Sequence, residues 1–234
     1  MTAARTGEIA ALARDMLDLA DALSLPRFHV VGHDWAPAPY ALAALAPQRL
    51  LSLTTLAVAY GTNVATQQLD VQQLRAYWYQ WYLATPRGAD ALRSDRVAFC
   101  RDLWRMWSPG WAFDEAEYAA TAASFDNPDF VEIALHSYRV RWEFVPGAAA
   151  FAADRAVLDA TPLLDVPTVV LMGRDDGATL PNGATGKERL FASSYALHVV
   201  PDCGHFVQRE QPAAVIAAVR EALHRDAGAA RRQR

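Results

Sequence analysis

Phe28-His-Val-Val-Gly-His-Asp-Trp-Ala36 is the stretch from which the rest of this chain can be placed. A short apolar run at 28–31 breaks off at Gly32, presents His33-Asp34-Trp35, and passes at Ala36 into an Ala/Leu-rich segment with helical spacing. This is a strand, a turn and a helix with one reactive side chain at the apex. Small residues at Gly32 and Ala36, two positions either side of Asp34, let the backbone turn sharply and leave the middle side chain exposed, as in a nucleophile elbow. The apex residue is a carboxylate, ionised at neutral pH, so it can attack an alkyl carbon without the general base that a serine needs. Taken alone, Asp34 also suits an N-cap of the following helix, and the choice between the two rests on residues farther along.

A chain of 234 residues with 53% hydrophobic content can bury one sizeable core. Its formal net charge is −4, and its basic residues are scattered except for Arg231-Arg232-Gln-Arg234 in an expected frayed tail, so the sequence carries no nucleic-acid footprint. Cys100 and Cys203 match no zinc or redox spacing, which predicts two unpaired thiols and a reducing compartment. The first residues show no apolar core of a signal peptide, and no run approaches the roughly 18 apolar residues of a membrane span. The expectation is a cytoplasmic protein without membrane partner.

Before the elbow, Ile9, Leu12, Met16, Leu19 and Leu23 recur at three- and four-residue steps, which predicts an amphipathic helix from about residue 6 with that face buried, ended by Pro26. The run at 28–31 reads as a strand buried on both faces. The next helix runs to about Ala46, with Pro37 and Pro39 in its first turn, where the backbone N–H groups lack intrahelical acceptors anyway. A second apolar strand spans 51–58. From 62 to about 160 no apolar strand is visible, only helical stretches crowded with aromatics, including Tyr77, Trp78, Tyr79, Trp81, Tyr82, Trp104, Trp107, Trp111 and Trp142. Strands resume at 166–172 and 196–200, with a short helix at 187–191 between them. A final helix from Ala213 to about His224 is predicted to turn Val215, Ile216, Val219 and Leu223 inward. Strands alternating with helices predict an α/β fold with a parallel sheet covered on both faces.

Reactive groups in such a sheet gather at the carboxyl ends of the strands. Three loops deliver them there: the elbow with Asp34, Gly173-Arg-Asp-Asp176 after the third strand, and Pro201-Asp-Cys-Gly-His205 after the fourth. Nucleophile, acid and histidine in that chain order form the order of an α/β-hydrolase triad. An Asp-Gly turn for the acid loop and an ordinary loop histidine are the bland alternatives, and their coincidence with the strand ends argues against both. The remaining histidines, His29, His33, His136, His198 and His224, have no metal-ligand spacing, so no metal is expected; His33 is expected to shape the elbow.

Gly32-His-Asp-Trp35, Gly173-x-x-Asp176 and Gly204-His-Phe-Val-Gln-Arg-Glu-Gln-Pro212 resemble the elbow, acid turn and histidine loop of the α/β-hydrolase epoxide hydrolases and their haloalkane dehalogenase relatives. The resemblance covers nearly the whole chain. It implies an α/β-hydrolase core at 1–61 and 161–226, a helical cap at 62–160 and a flexible tail at 227–234. It implies Asp34 as nucleophile, Asp176 as charge-relay acid with Asp175 as runner-up, His205 as base, and the backbone N–H of Trp35 as an oxyanion donor, with no cofactor. Tyr77-Trp-Tyr-Gln-Trp-Tyr-Leu-Ala-Thr-Pro86 and His136-Ser-Tyr-Arg139 are similar to the family's two tyrosine motifs, which puts Tyr79 and Tyr138 over the epoxide oxygen and leaves Tyr77, Tyr82 and the tryptophans to aromatic packing. The family also carries, ahead of the first helix, more strands and a His-Gly-x-Pro loop that this sequence lacks, so an N-terminally truncated fold is expected, with a homodimer through the exposed sheet edge. The activity implied is epoxide opening of a small apolar molecule to a vicinal diol. Haloalkane dehalogenation, with the Trp35 indole on the halide, and a non-catalytic remnant serving as an interaction scaffold are the alternatives.

Overall fold

The computed structural model describes residues 6–35, 37–161 and 163–232, with side chains through 224. Ala36, the small residue expected on the far side of the elbow, lies outside the described residues, as does the end of the basic tail. In chain order the elements are α1 (Ile9–Ala22), β1 (Phe28–His33), α2 (Pro37–Leu45), β2 (Leu50–Leu56), α3 (Val71–Ala76), α4 (Trp78–Ala84), α5 (Pro86–Ser94), α6 (Arg96–Trp107), α7 (Glu115–Ala122), α8 (Phe130–Arg141), α9 (Ala152–Ala160), β3 (Thr168–Gly173), β4 (Tyr195–Val200), α10 (Val207–Glu210) and α11 (Pro212–Arg232). The strands form one parallel sheet in the order β1-β2-β3-β4. Parallel neighbours require crossovers, and the chain makes the second of them, between β2 and β3, through all of α3 to α9. The expected helix at 187–191 is a single 3₁₀ turn, Glu188–Leu190.

Helices cover the sheet on both sides. Leu53 of β2 packs with α1 and α2, while Leu56, on the opposite face, joins Val169, Leu171, Ala218 and Ala222 under α11. Every residue of β3 is buried, as a central parallel strand requires. The strand β1 lies at the exposed sheet edge that a truncated fold implies, and departs only from the expected burial on both faces. It pairs with β2 alone, its burial alternates, and Val31 is 50% exposed, so its apolar run lies at the open edge of the sheet. An apolar groove of about 510 Å³ runs beside it, lined by Leu12, Met16, Leu19 and Val31.

That groove corrects the reading of the first helix. Leu19 and Leu23 are 61% and 60% exposed, and the buried stripe is Ala10, Ala13, Leu17 and Ala20. The same inversion holds in α11, where Ala218 and Ala222 are buried and Ile216 and Leu223 are exposed. The distance between packed helices depends on the side chains at the contact, and an alanine stripe lets a helix lie close, leaving larger residues on its flanks. The helix α11 also continues past His224 to Arg232, so the stretch expected as a frayed tail is helical as far as it is described.

Between 62 and 160 there is no strand, as the sequence predicts. One apolar cluster joins Tyr79, Leu83, Leu92, Leu103 and Leu135; a second joins Trp104, Tyr118 and Phe125 to Phe206, which belongs to the loop after β4. The second cluster docks the helical segment onto the carboxyl edge of the sheet.

Candidate active site

At that edge β1 ends at His33, and the next residue turns. The Asp34 N–H still completes the ladder to Leu56 O at 3.2 Å, but its φ is 53°, in the left-handed region that costs a non-glycine residue about 1–2 kcal/mol. A strained residue held between a strand and a helix presents its side chain away from both. Gly32 makes the turn possible in a second way, because a Cβ there would lie 2.5 Å from Pro39 Cγ of α2.

The acid loop and the histidine loop meet backbone to backbone. A Cβ on Gly173 would sit 1.9 Å from Gly204 O, so only glycine lets the ends of β3 and β4 converge this closely. Within the acid loop Asp176 is the buried carboxylate and Asp175 the exposed one. Asp176 Oδ1 accepts from the backbone N–H groups of Ala178 and Thr179 at 2.7 and 2.9 Å, which fixes Oδ2 toward His205 Nδ1 at 2.9 Å. The other ring nitrogen, Nε2, lies 3.1 Å from Asp34 Oδ1. The three side chains expected from the sequence thus form one line, with the side chains of His205 and Asp176 wholly buried and that of Asp34 27% exposed.

Charge follows from this geometry. Burial works against an ionised Asp34, yet the hydrogen bond and charge of His205, with smaller contributions from His33 and Arg141, hold its carboxyl down at about 2. Burial likewise works against a charged His205, and the two carboxylates outweigh it, raising the imidazole to about 10. The surroundings of His205 therefore favour its charged form beside Asp34 and Asp176. His33, by contrast, is pushed down to about 4 by burial and then by the charge of His205. Its Nε2–H donates to His205 O at 2.9 Å, so it braces the histidine loop from the elbow as a neutral ring.

Above Asp34 lies a cavity of about 240 Å³, lined by Trp35, Leu103, Trp107, Phe130 and Tyr138 among others. Tyr138 lines it, and Tyr79 packs behind edge to face on Tyr138, ring centroids 5.7 Å apart. Burial raises both phenols; Tyr138 and then Asp34 raise Tyr79 further, and Asp34 raises Tyr138 further. Tyr79 Oη accepts from Gln80 Nε2 at 3.1 Å, and Gln80 Oε1 accepts from Trp142 Nε1 at 2.8 Å. With its acceptor site engaged in this way, the Tyr79 hydroxyl keeps its own proton to donate elsewhere.

Trp35 behaves otherwise than expected. Its N–H points to His33 O at 2.5 Å, closing a tight turn around Asp34, so the backbone donor foreseen for an oxyanion is engaged within the elbow. Its indole lines the cavity.

Several residues at the site were not singled out from the sequence. Trp107, assigned to packing, lines the cavity between His205 and Tyr79, with ring centroids at 5.2 and 5.1 Å, and its buried Nε1–H has no partner among the described residues. Ser108 Oγ donates to Glu210 Oε1 at 2.7 Å and accepts from His205 N at 2.8 Å, while Glu210 Oε2 accepts from Gly204 N at 2.7 Å. This clamp ties the histidine loop to the end of α6. No local signal marks Ser108 or Glu210, since their roles exist only where two distant segments meet. Among the described residues no group of His, Cys, Asp and Glu is arranged to hold a metal ion, both cysteines are free thiols, and no helix is long and apolar enough to cross a membrane.

Comparison with known proteins agrees with the geometry. A family profile described as alpha/beta hydrolase fold matches residues 2–212. A solved structure from Klebsiella pneumoniae subsp. pneumoniae MGH 78578, called a "putative epoxide hydrolase", is 34% identical with a TM-score of 0.85, over 95% of this chain and 75% of that one. A Pseudomonas aeruginosa structure with the same description is 23% identical, TM-score 0.71, over 95% and 75% of the two chains. A Salmonella enterica structure called a "putative acyltransferase" is 23% identical, TM-score 0.76, over 94% and 71%. At that identity the last two likenesses show the fold alone. No curated protein matches. With a carboxylate elbow, a buried acid and a histidine at the carboxyl edge of its parallel sheet, the chain belongs to the alpha/beta hydrolase fold family.

Proposed function

We propose that this alpha/beta hydrolase opens small epoxides to vicinal diols through an ester on Asp34. The observation that carries the reading is the placement of His205 between two carboxylates, one buried and one facing a cavity lined by Tyr138, against which Tyr79 packs. In the first half-reaction an Asp34 oxygen attacks the less hindered epoxide carbon, the C–O bond breaks, and its electron pair goes to oxygen while Tyr79 and Tyr138 hydrogen-bond that oxygen. The ester cancels the charge of Asp34, one of the two that hold the His205 proton, so that proton is released to neutralise the alkoxide. Neutral His205, oriented by Asp176, then takes a proton from water as the water attacks the ester carbonyl. The diol leaves and Asp34 is regenerated. The segment from α3 to α9 acts as a cap, and a cavity of about 240 Å³ suits a small substrate. The description given to the Klebsiella relative supports the same chemistry.

Dehalogenation is the second reading, favoured by one observation. A departing halide needs N–H donors and no proton, and Trp107 offers a buried, unpartnered indole N–H in the cavity that Trp35 also lines. Short-chain epoxides and chloroalkanes offered to the purified chain separate the two, scored as diol formed and halide released. Diol formation abolished by Asp34→Ala supports the first reading. Halide release without diol replaces it with the second, and neither product leaves the scaffold alternative.

A further inference from the structure

The helix α8 ends on Arg141, three residues after Tyr138. The guanidinium carbon of Arg141 stands 5.3 Å from the centroid of the Trp35 ring and 5.4 Å from that of Tyr138, and both rings line the cavity over Asp34. Its Nε is buried and has no hydrogen-bond partner, and among the described residues the side chain has no ion-pair partner. Several other arginines are paired. Arg14 pairs with Asp154, Arg93 with Glu132, Arg96 with Asp126 and Arg155 with Glu8, while Arg139 on the same helix donates to Ala84 O.

Arg141 is partly buried, its Nε shut off from water, and a buried donor left without an acceptor is costly. Ring faces offset part of that cost, through cation–π attraction, and leave the planar fork of N–H donors unused. Asp34 is not its missing counter-ion: the two are beyond ion-pair distance, and Asp34 is already bonded to His205. The fork of a guanidinium matches a carboxylate with two parallel hydrogen bonds. We propose that Arg141 is a substrate-binding residue that pairs with a carboxylate, so that the molecule taken into the Asp34 cavity is a small organic acid. The two ends of the site then divide their roles: Arg141 holds the acid group, and the electrophilic carbon, a short chain away, faces Asp34. This assignment of substrate class rests on the reading of Asp34 as nucleophile for its reactive end only; the anion site stands on Arg141 itself.

Equilibrium binding tests the two apart from turnover. Butyrate and butyramide have nearly the same shape and differ in charge, and each is titrated into the full chain by calorimetry at fixed ionic strength. A charge-assisted pair predicts butyrate binding tighter by at least about tenfold, with the preference collapsing in Arg141→Gln and partly restored in Arg141→Lys. Equal binding of the two ligands by the unaltered chain overturns the proposal, as does a preference that survives in Arg141→Gln. The first of these comparisons needs no variant to fold. A preference for butyrate in a chain that makes no diol from any epoxide keeps the carboxylate site and removes the epoxide reading. Diol formation from neutral epoxides with no butyrate preference does the reverse.

Discussion

His205 Nε2 lies 3.1 Å from Asp34 Oδ1, an ion pair between the proposed base and the proposed nucleophile. The contact lowers the basicity of the carboxylate without protonating it and holds the imidazole in the position from which it must later activate water. Removing the histidine separates the half-reactions. In His205→Gln the attack of Asp34 on carbon remains and hydrolysis stops, so intact-protein mass spectrometry after exposure to an epoxide should find one substrate mass added per chain. Asp34→Ala should show none. The unaltered chain should accumulate a smaller amount of the same adduct in a pre-steady-state burst, because ester hydrolysis begins with the Trp35 N–H still bound to His33 O, and one absent oxyanion donor slows that step by about 10²–10³. An adduct that fails to form in His205→Gln contradicts the assignment of His205.

Three shifted groups predict how stability follows pH. His205 is raised to about 10, so its contribution is complete below its unfolded value of about 6.5 and is lost as pH climbs toward 10. His33 is lowered to about 4, so the unfolded chain takes up that proton first and stability falls as pH drops from about 6.5 toward 4. Asp34, lowered to about 2, contributes above about 3.9, and that contribution is lost as pH falls toward 2. Urea midpoints measured across this range should therefore peak near about pH 6.5. His205→Gln should flatten the alkaline limb and also weaken the acid limb, because His205 helps lower both Asp34 and His33, and a profile of the unaltered chain still rising above about pH 8 goes against the ion pair.

What the sequence revealed and what it concealed divide along physical lines. The elbow, the acid loop and the histidine loop were legible because each is a local pattern, an apolar strand followed by small residues and one reactive group, and local patterns survive in one dimension. Asp175 and Asp176 could not be told apart on residues alone; burial and two backbone N–H donors distinguish them. On α1 and α11 the expected Ile9, Met16 and Val215 do pack on the core, but Leu19, Leu23, Ile216 and Leu223 stay exposed, because hydrophobicity ranks leucine above alanine, whereas close packing against a neighbour selects the smaller residue. The strand β1 reads from its composition as buried on both faces, whereas its burial alternates, since composition does not count the neighbours that would cover an edge strand. Trp107 and Arg141 carried no signal, because what distinguishes them is a hydrogen bond or an ion pair they do not make.

Tyr79 and Tyr138 together decide between the two chemistries. Replacing both with Phe keeps the edge-to-face packing and removes both hydroxyls, so epoxide opening should fall by about 10²–10⁴ with little change in the urea midpoint. Halide release from a chloroalkane should be unaffected, as a halide leaves without a proton. Epoxide turnover retained in the double variant would remove the tyrosines from the mechanism.

The central claim is that Asp34 becomes covalently esterified and that water attacks its carbonyl carbon. A single turnover with excess enzyme in heavy-oxygen water, followed by peptide mass spectrometry, reads this directly. The account predicts one heavy oxygen in the Asp34 carboxylate and none in the diol. Label in the diol, with the Asp34 peptide unlabelled, would mean that water attacks the substrate itself and would contradict the account.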